Sequence, residues 1–219
     1  MDIIAKLKDE LNVEKWQVEA AVKLIDEGNT IPFISRYRKE VTGSLNDEVL
    51  RNLNERLGYL RNLEEKKEQV LGSIEEQGKL TDELKEKILA AETMVAVEDL
   101  YLPYRPKRKT RASIAKEKGL DGLAAVLLAQ ETTQSLPEEA AAYVSEEKGV
   151  NNVKEALQGA MDIIAERISD EAEYRAYIRQ ATFEEGKLVS TAKDTKVQSV
   201  YEMYYDFEEP VSKVAGHRV

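Results

Sequence analysis

Apolar residues along this chain recur at steps of three and four over most of its length, and glycines and prolines punctuate the runs. That period is helical. Asp2 to Leu11 predicts a short amphipathic helix, and Asn12 an N-cap for a second one running to about Glu27, with Gly28 as its C′ residue. Thr30 then offers an N-cap, with Pro32 in the first turn where its missing N–H does no harm. The third helix, IPFISRYRKE, ends before Thr42-Gly43. A long amphipathic helix follows over about 46–77, its stripe formed by Leu50, Leu53, Leu57 and Leu60, breaking at Glu64 and Lys67 and resuming at Leu71 and Ile74. Gly58 and Gly72 inside it each cost about 1 kcal/mol against Ala, so a close helix approach is expected there. Gly78 stops this helix, and Thr81 starts another reaching Ala91.

Met94 to Leu102 reads as a further short helix, followed by a pair at Ser113–Lys118 and Leu120–Ala129 separated by Gly119. Gln130 to Ser135 is a polar connector, and Pro137 opens another short helix. A second long helix is expected over about 152–185, with Val153, Leu157, Ala160, Ile164, Ile168 and Ala172 along one face. Lys187 to Ala192 suits a short strand, and Val200 to Val219 a tail with no core of its own. The predicted fold is therefore all-α and multi-helical. Two long helices of roughly 30 residues, each ~45 Å long at 1.5 Å per residue, form its spine and pack through their leucine and isoleucine faces.

Composition agrees: among 219 residues, 42% are hydrophobic and 34% charged, with helix formers dominant. No stretch approaches the ~20 apolar residues that span a bilayer, and the first eleven residues lack the basic start and apolar middle of a signal peptide. The chain has no cysteine, which fits a cytoplasmic protein and removes disulfides and thiolate metal sites. Its net charge of −10 argues against a whole-surface nucleic-acid binder. The charge is uneven, however. Arg105 to Lys118 holds seven basic residues and one Glu, so any nucleic-acid contact must be local.

The densest departure from the background is YLPYRPKRKTR, from Tyr101 to Arg111. Pro103 and Pro106 push the residues before them towards extended backbone, so the preceding helix cannot run through. Arg105, Lys107, Arg108, Lys109 and Arg111 would then project from the loop at 103–111, with Tyr104 beside them, which suits phosphate binding with base stacking. A solvated loop, or one paired with carboxylates elsewhere in an acid-rich protein, explains the same residues.

Catalytic chemistry finds little material. His217 is the one histidine, no Gly-rich phosphate loop is present, and neighbouring acids such as Glu98-Asp99 diverge by ~100° on a helix. The expectation is a protein that is not an enzyme and carries no catalytic residue, metal site or cofactor. Glu14 to Glu27, the Gly28-Asn29 turn and Ile31 to Glu40 have helix-turn-helix proportions, which makes Arg36, Arg38 and Lys39 weaker candidates for DNA contact. Against this, the turn that would enter the groove carries Ile31, Phe33 and Ile34, and the first helix carries Glu14, Glu19, Asp26 and Glu27.

The strings IPFISRYRKEVTGSLND, LRNLNERLGYLRNLEEKKEQVLGSIEEQGKLTDEL and VEDLYLPYRPKRKTRASIAKEKGLDGLA resemble the N-terminal half of the bacterial Tex proteins, the transcription accessory factors. The resemblance covers essentially the whole chain and is densest from Thr30 to Ala129. Such proteins continue into an RNase-H-like domain, helix-hairpin-helix units and a C-terminal OB-fold that binds RNA, and they are similar to a eukaryotic transcription elongation factor. The resemblance implies helix-turn-helix-like helices at 1–42, a long-helix scaffold at 43–192 that includes the basic loop, and a lead-in at 193–219 to an RNase-H-like domain not present here. It also implies a parent that binds RNA or DNA, mainly through the absent OB-fold. For these residues three roles stay open: a helical scaffold, a secondary nucleic-acid contact through the basic loop, or a docking module for RNA polymerase or another transcription protein.

Overall fold

The computed structural model describes residues 1–106 and 108–218. The chain divides into two compact units, Met1–Tyr101 and Leu102–Val219.

The first unit is built from α1 (Ile3–Leu11), α2 (Lys15–Asp26), α3 (Ile31–Tyr37), α4 (Lys39–Thr42), α5 (Asp47–Glu76), α6 (Asp82–Ala90) and α7 (Met94–Tyr101). Asn12 does not cap α2 as expected. It closes α1 in a left-handed conformation, while Glu14 and Gln17 form the capping box that starts α2. Thr30 and Pro32 open α3, as the sequence predicts, and Asn46 caps α5. The expected ten-residue helix IPFISRYRKE is split, because Arg38 leaves helical dihedrals and its carbonyl restarts the chain as α4, accepting from the N–H groups of Val41 and Thr42. Gly43 ends α4 at φ 63, where a Cβ would lie 2.4 Å from a Trp16 ring carbon. The turn therefore needs glycine both for its dihedral and for the space.

Helix α5 carries the core of this unit. Leu50, Leu53, Leu57 and Leu60 pack with Leu7 of α1, Val18, Ala21 and Leu24 of α2, and Ile34 of α3. The stripe does not break in the middle, as the pattern suggested. It continues through Leu63, Lys67, Val70 and Ile74, all buried. Lys67 fits the apolar run because its ammonium donates to the Leu89 carbonyl (2.8 Å) and pairs with Glu64 (2.9 Å) while its stem lines the interior. The glycines of α5 are not close-approach sites, since a Cβ at Gly58 or Gly72 meets nothing within 4 Å.

The second unit contains α8 (Arg111–Glu117), α9 (Asp121–Ala129), α10 (Leu136–Ala141), α11 (Val153–Asp170), α12 (Ala172–Glu185), β1 (Lys187–Thr191) and β2 (Asp206–Pro210). Its core joins Ala112, Ala115, Leu120, Leu123, Ala124, Ala140, Val150, Ala156, Ala160 and Ile163. Gly159 lets α11 close on its neighbours: a Cβ there would lie 2.3 Å from Leu120 Cδ1 and 3.2 Å from Ala115 Cβ.

The second long helix expected over 152–185 is two helices, broken at Glu171 (φ −72, ψ 116). Ser169 and Asp170, weak helix formers, precede the break, and the Arg175 guanidinium reaches the Ser169 carbonyl at 3.4 Å. Burial explains why nothing bridges it. The buried face of α11 ends at Ile163, and α12 buries none of its residues, so no packing holds the two segments in line. The two stripes accordingly belong to separate cores. The fold is mostly helical with one small sheet, in which β1 runs antiparallel to β2 with Lys187 opposite Pro210 and Thr191 opposite Asp206. The segment expected as a tail thus supplies a paired strand.

Candidate nucleic-acid interface

Helix α7 stops at Tyr101, where Pro103 was expected to stop it, and the chain turns over 102–105. Arg105, Pro106, Arg108 and Lys109 belong to neither helix nor strand, and the Thr110 hydroxyl accepts from the Ser113 N–H while Ser113 Oγ accepts from the Thr110 N–H. This capping box moves the start of α8 forward to Arg111. Arg111 is therefore a first-turn helical residue, not a loop residue as expected. The Thr-x-x-Ser spacing was the available signal.

Arg105, Arg108, Lys109 and Arg111 are all exposed. Among the described residues Arg105 and Arg108 have no ion pair or hydrogen bond. Lys109 donates to Glu117 on α8 at 3.2 Å, and Arg111, its side chain 85% exposed, lies 4.0 Å from Asp162 on α11. Part of the basic segment is thus answered by acids, and part presents uncompensated charge to solvent. Tyr104 is half-buried in the turn, which limits the ring face it offers to a base. Lys107 lies outside the described residues.

Beside Arg111 a cleft of about 230 Å³ opens between α8 and α11. Ile114, Ala115, Leu120 and Val150 supply its apolar lining, and Lys118, Glu155, Gln158 and Asp162 its polar one. Lys118 is tied to the Gly149 carbonyl (2.7 Å). The Asn151 backbone N–H, helped by the Asn151 and Asn152 amides, holds the Glu155 carboxyl below its ordinary pKa.

The weaker candidates are dispersed. Arg36 is exposed near the end of α3, and Lys39 is exposed on α4. Arg38 sits at the break between them, its guanidinium 5.0 Å from the Phe33 ring centroid and bonded to the Tyr37 carbonyl (3.0 Å). Ile34, in the turn that would face a groove, is fully buried.

Among the described residues no group of three or more His, Asp and Glu side chains comes together to hold a metal ion. No helix among them is long and apolar enough to cross a membrane.

Residues 1–75 match the family described as Tex-like protein N-terminal domain, and residues 131–219 match the Tex central region-like family. The chain is 49% identical over 212 residues to Protein YhgF of Escherichia coli, covering 95% of this chain and 27% of that protein. It is 46% identical over 221 residues to the Transcriptional accessory protein Tex of Neisseria gonorrhoeae (100% of this chain, 29% of that protein). Over 180 residues it is 30% identical to human S1 RNA-binding domain-containing protein 1, which covers 81% of this chain and 18% of that protein. The chain thus spans under a third of the length of these relatives.

Proposed function

Because this chain belongs to the Tex-like family, we propose that it is a helical scaffold within a cytoplasmic transcription accessory protein and makes a secondary, sequence-tolerant contact with RNA or DNA through Arg105–Arg111. The relatives' names supply the context: one is a transcriptional accessory protein and another carries an S1 RNA-binding domain. The observation that carries the local contact is the exposure of Arg105 and Arg108 without a counter-ion among the described residues. Such cations release condensed counter-ions when they meet phosphates, a gain that does not depend on base sequence. Arg36 and Lys39 form a weaker second candidate, held back by the engagement of Arg38 with Phe33 and by the buried Ile34. The reading assigns no catalytic residue, metal or cofactor. Fluorescence anisotropy with single-stranded RNA and duplex DNA tests it: binding that is lost in Arg105→Ala/Arg108→Ala supports the contact.

A second reading, a docking module for RNA polymerase or another transcription protein, draws on α12. Tyr174, Tyr177, Ile178 and Phe183 there are each more than half exposed. Exposed apolar faces of this kind mark protein contacts. Capture of core RNA polymerase by the wild type and not by a Tyr177→Ser/Ile178→Ser variant would favour it.

A further inference from the structure

The cleft between α8 and α11 has features that the backbone contact does not use. Arg111 belongs both to the basic segment and to the rim of the cleft, so a strand laid along that segment passes the opening. At about 230 Å³ it is smaller than the ~300–1,000 Å³ of drug-sized ligand pockets, which suits one ring system rather than a larger ligand. Ala115, Leu120 and Val150, all nearly fully buried, give it an apolar floor. A flat aromatic ring could lie against such a floor. The polar rim is biased. Gln158 donates one amide N–H to Asp162 Oδ1 at 3.2 Å, which turns the Nε2 end of the amide towards Asp162. Among the described residues no donor reaches Gln158 Oε1 or Asp162 Oδ2 within hydrogen-bond distance. Two acceptors, one of them charged, thus stay open on residues one turn apart on α11.

We propose that this cleft is a nucleobase pocket selective for guanine in a single strand, its Asp162 carboxylate and Gln158 amide oxygen accepting from the N1–H and N2–H₂ groups while Arg111 holds the adjoining phosphate. Guanine is the RNA base whose Watson–Crick edge carries two adjacent donors. Adenine and cytosine each offer one amine beside an acceptor, and uracil one imide N–H between acceptors. Proteins read splayed single-stranded bases through such edge contacts, with the ring packed on apolar or aromatic side chains. The proposal rests on the backbone contact described above for delivery of the strand, but the pocket is testable by itself.

Anisotropy titrations would compare a 12-mer of uridine with the same strand carrying one central guanosine, and with inosine at that position. The expected preference for guanosine is about tenfold, the scale of one bidentate base contact. Inosine, lacking the N2 amine, should lose most of it. Asp162→Asn should erase the preference while keeping the helical circular dichroism signal, and the uridine affinity should hold or rise, because Arg111 loses its acidic neighbour. Gln158→Leu is the second variant, should the first fail to fold. In parallel, GMP, AMP and CMP would be titrated into 15N-labelled protein, where GMP alone should shift the α8 and α11 amides. Equal binding of all three strands, with steep salt dependence and no GMP shifts, overturns the pocket and leaves the backbone contact standing. GMP binding without strand binding supports the pocket and removes the backbone contact. No binding in either assay overturns both.

Discussion

Lys67 places its ammonium nitrogen 2.8 Å from the carbonyl oxygen of Leu89, inside an otherwise apolar stripe and with the lysine only 1% exposed. The Leu89 carbonyl lies in the last turn of α6, where intrahelical partners run out. The lysine therefore satisfies an orphan acceptor and joins α5 to α6. Lys67→Ala should lose both the stem packing and the charge-assisted bond, lowering stability by about 3 kcal/mol. Lys67→Met keeps the stem and should cost about 1–2 kcal/mol. Urea denaturation of the two variants checks the order. Equal losses would mean that the stem packing contributes nothing, and no loss in Lys67→Met would mean the same of the carbonyl bond.

Glycine substitutions should divide by position. At Gly43 the backbone is left-handed and the Trp16 ring stands where a Cβ would go, so Gly43→Ala should destabilise by about 1–3 kcal/mol. At Gly58 and Gly72 nothing lies within 4 Å, and alanine should stabilise α5 by about 0.5–1 kcal/mol at each. Thermal melts of the three single variants check the signs.

The stripe on α5 was legible because eight buried positions keep helical spacing, yet Lys67 was misread as a break. Sequence periodicity scores a lysine as polar and cannot see a carbonyl waiting 22 residues later for its ammonium. The reverse error befell α11 and α12. Ile168 and Ala172 continue the period, but a period implies a helix only while a partner surface buries it, and here burial ends at Ile163. Strand β2 escaped notice because its pairing with β1 is non-local and its sequence, DFEEP, is mostly acidic. The basic segment was legible in composition, as was its emergence from α7 at the prolines. Its partners were not, because Asp162 reaches Arg111 only once α11 packs on α8.

Acid should weaken the first unit through a few named carboxyls. Arg56 holds the Glu10 carboxyl below its ordinary value with bonds of 2.6 and 2.7 Å, and Arg61 does the same to Asp26 at 2.7 and 2.8 Å. At Glu64 burial opposes ionisation, but the hydrogen bond from the Met1 ammonium and the Lys67 ammonium 2.9 Å away outweigh it and the pKa is again lowered. A carboxyl with a depressed folded pKa stabilises the fold fully above its unfolded value, and loses that contribution as pH falls through the folded one. With ordinary values of 4.5 for Glu and 3.8 for Asp, the loss should begin near pH 5 and continue below pH 4. Urea midpoints at pH 7, 5 and 3.5 should fall in that order for the wild type. Glu10→Gln/Asp26→Asn should start lower at pH 7 and fall less, and an equal fall would remove these pairs as the cause.

The basic segment should show a graded response that an undifferentiated charge cluster would not. Five phosphate contacts to a single strand imply a log–log salt slope of about −3.5, and two contacts about −1.4, at roughly −0.7 each. Lys109 already has Glu117 at 3.2 Å, so its ammonium must exchange one anion for another on binding, whereas Arg105 and Arg108 exchange only water and counter-ions. Arg105→Ala and Arg108→Ala should therefore each weaken binding more than Lys109→Ala, and each should flatten the slope by about 0.7. Removing the competing anion with Glu117→Gln should tighten binding and leave the helical signal unchanged. The acid excess elsewhere opposes association, so low salt is the condition in which to look. Anisotropy from 20 to 200 mM salt, on wild type and these four variants, measures both quantities. Equal losses at all three basic positions, with no gain from Glu117→Gln, would show that the local ion pair has no influence on the contact.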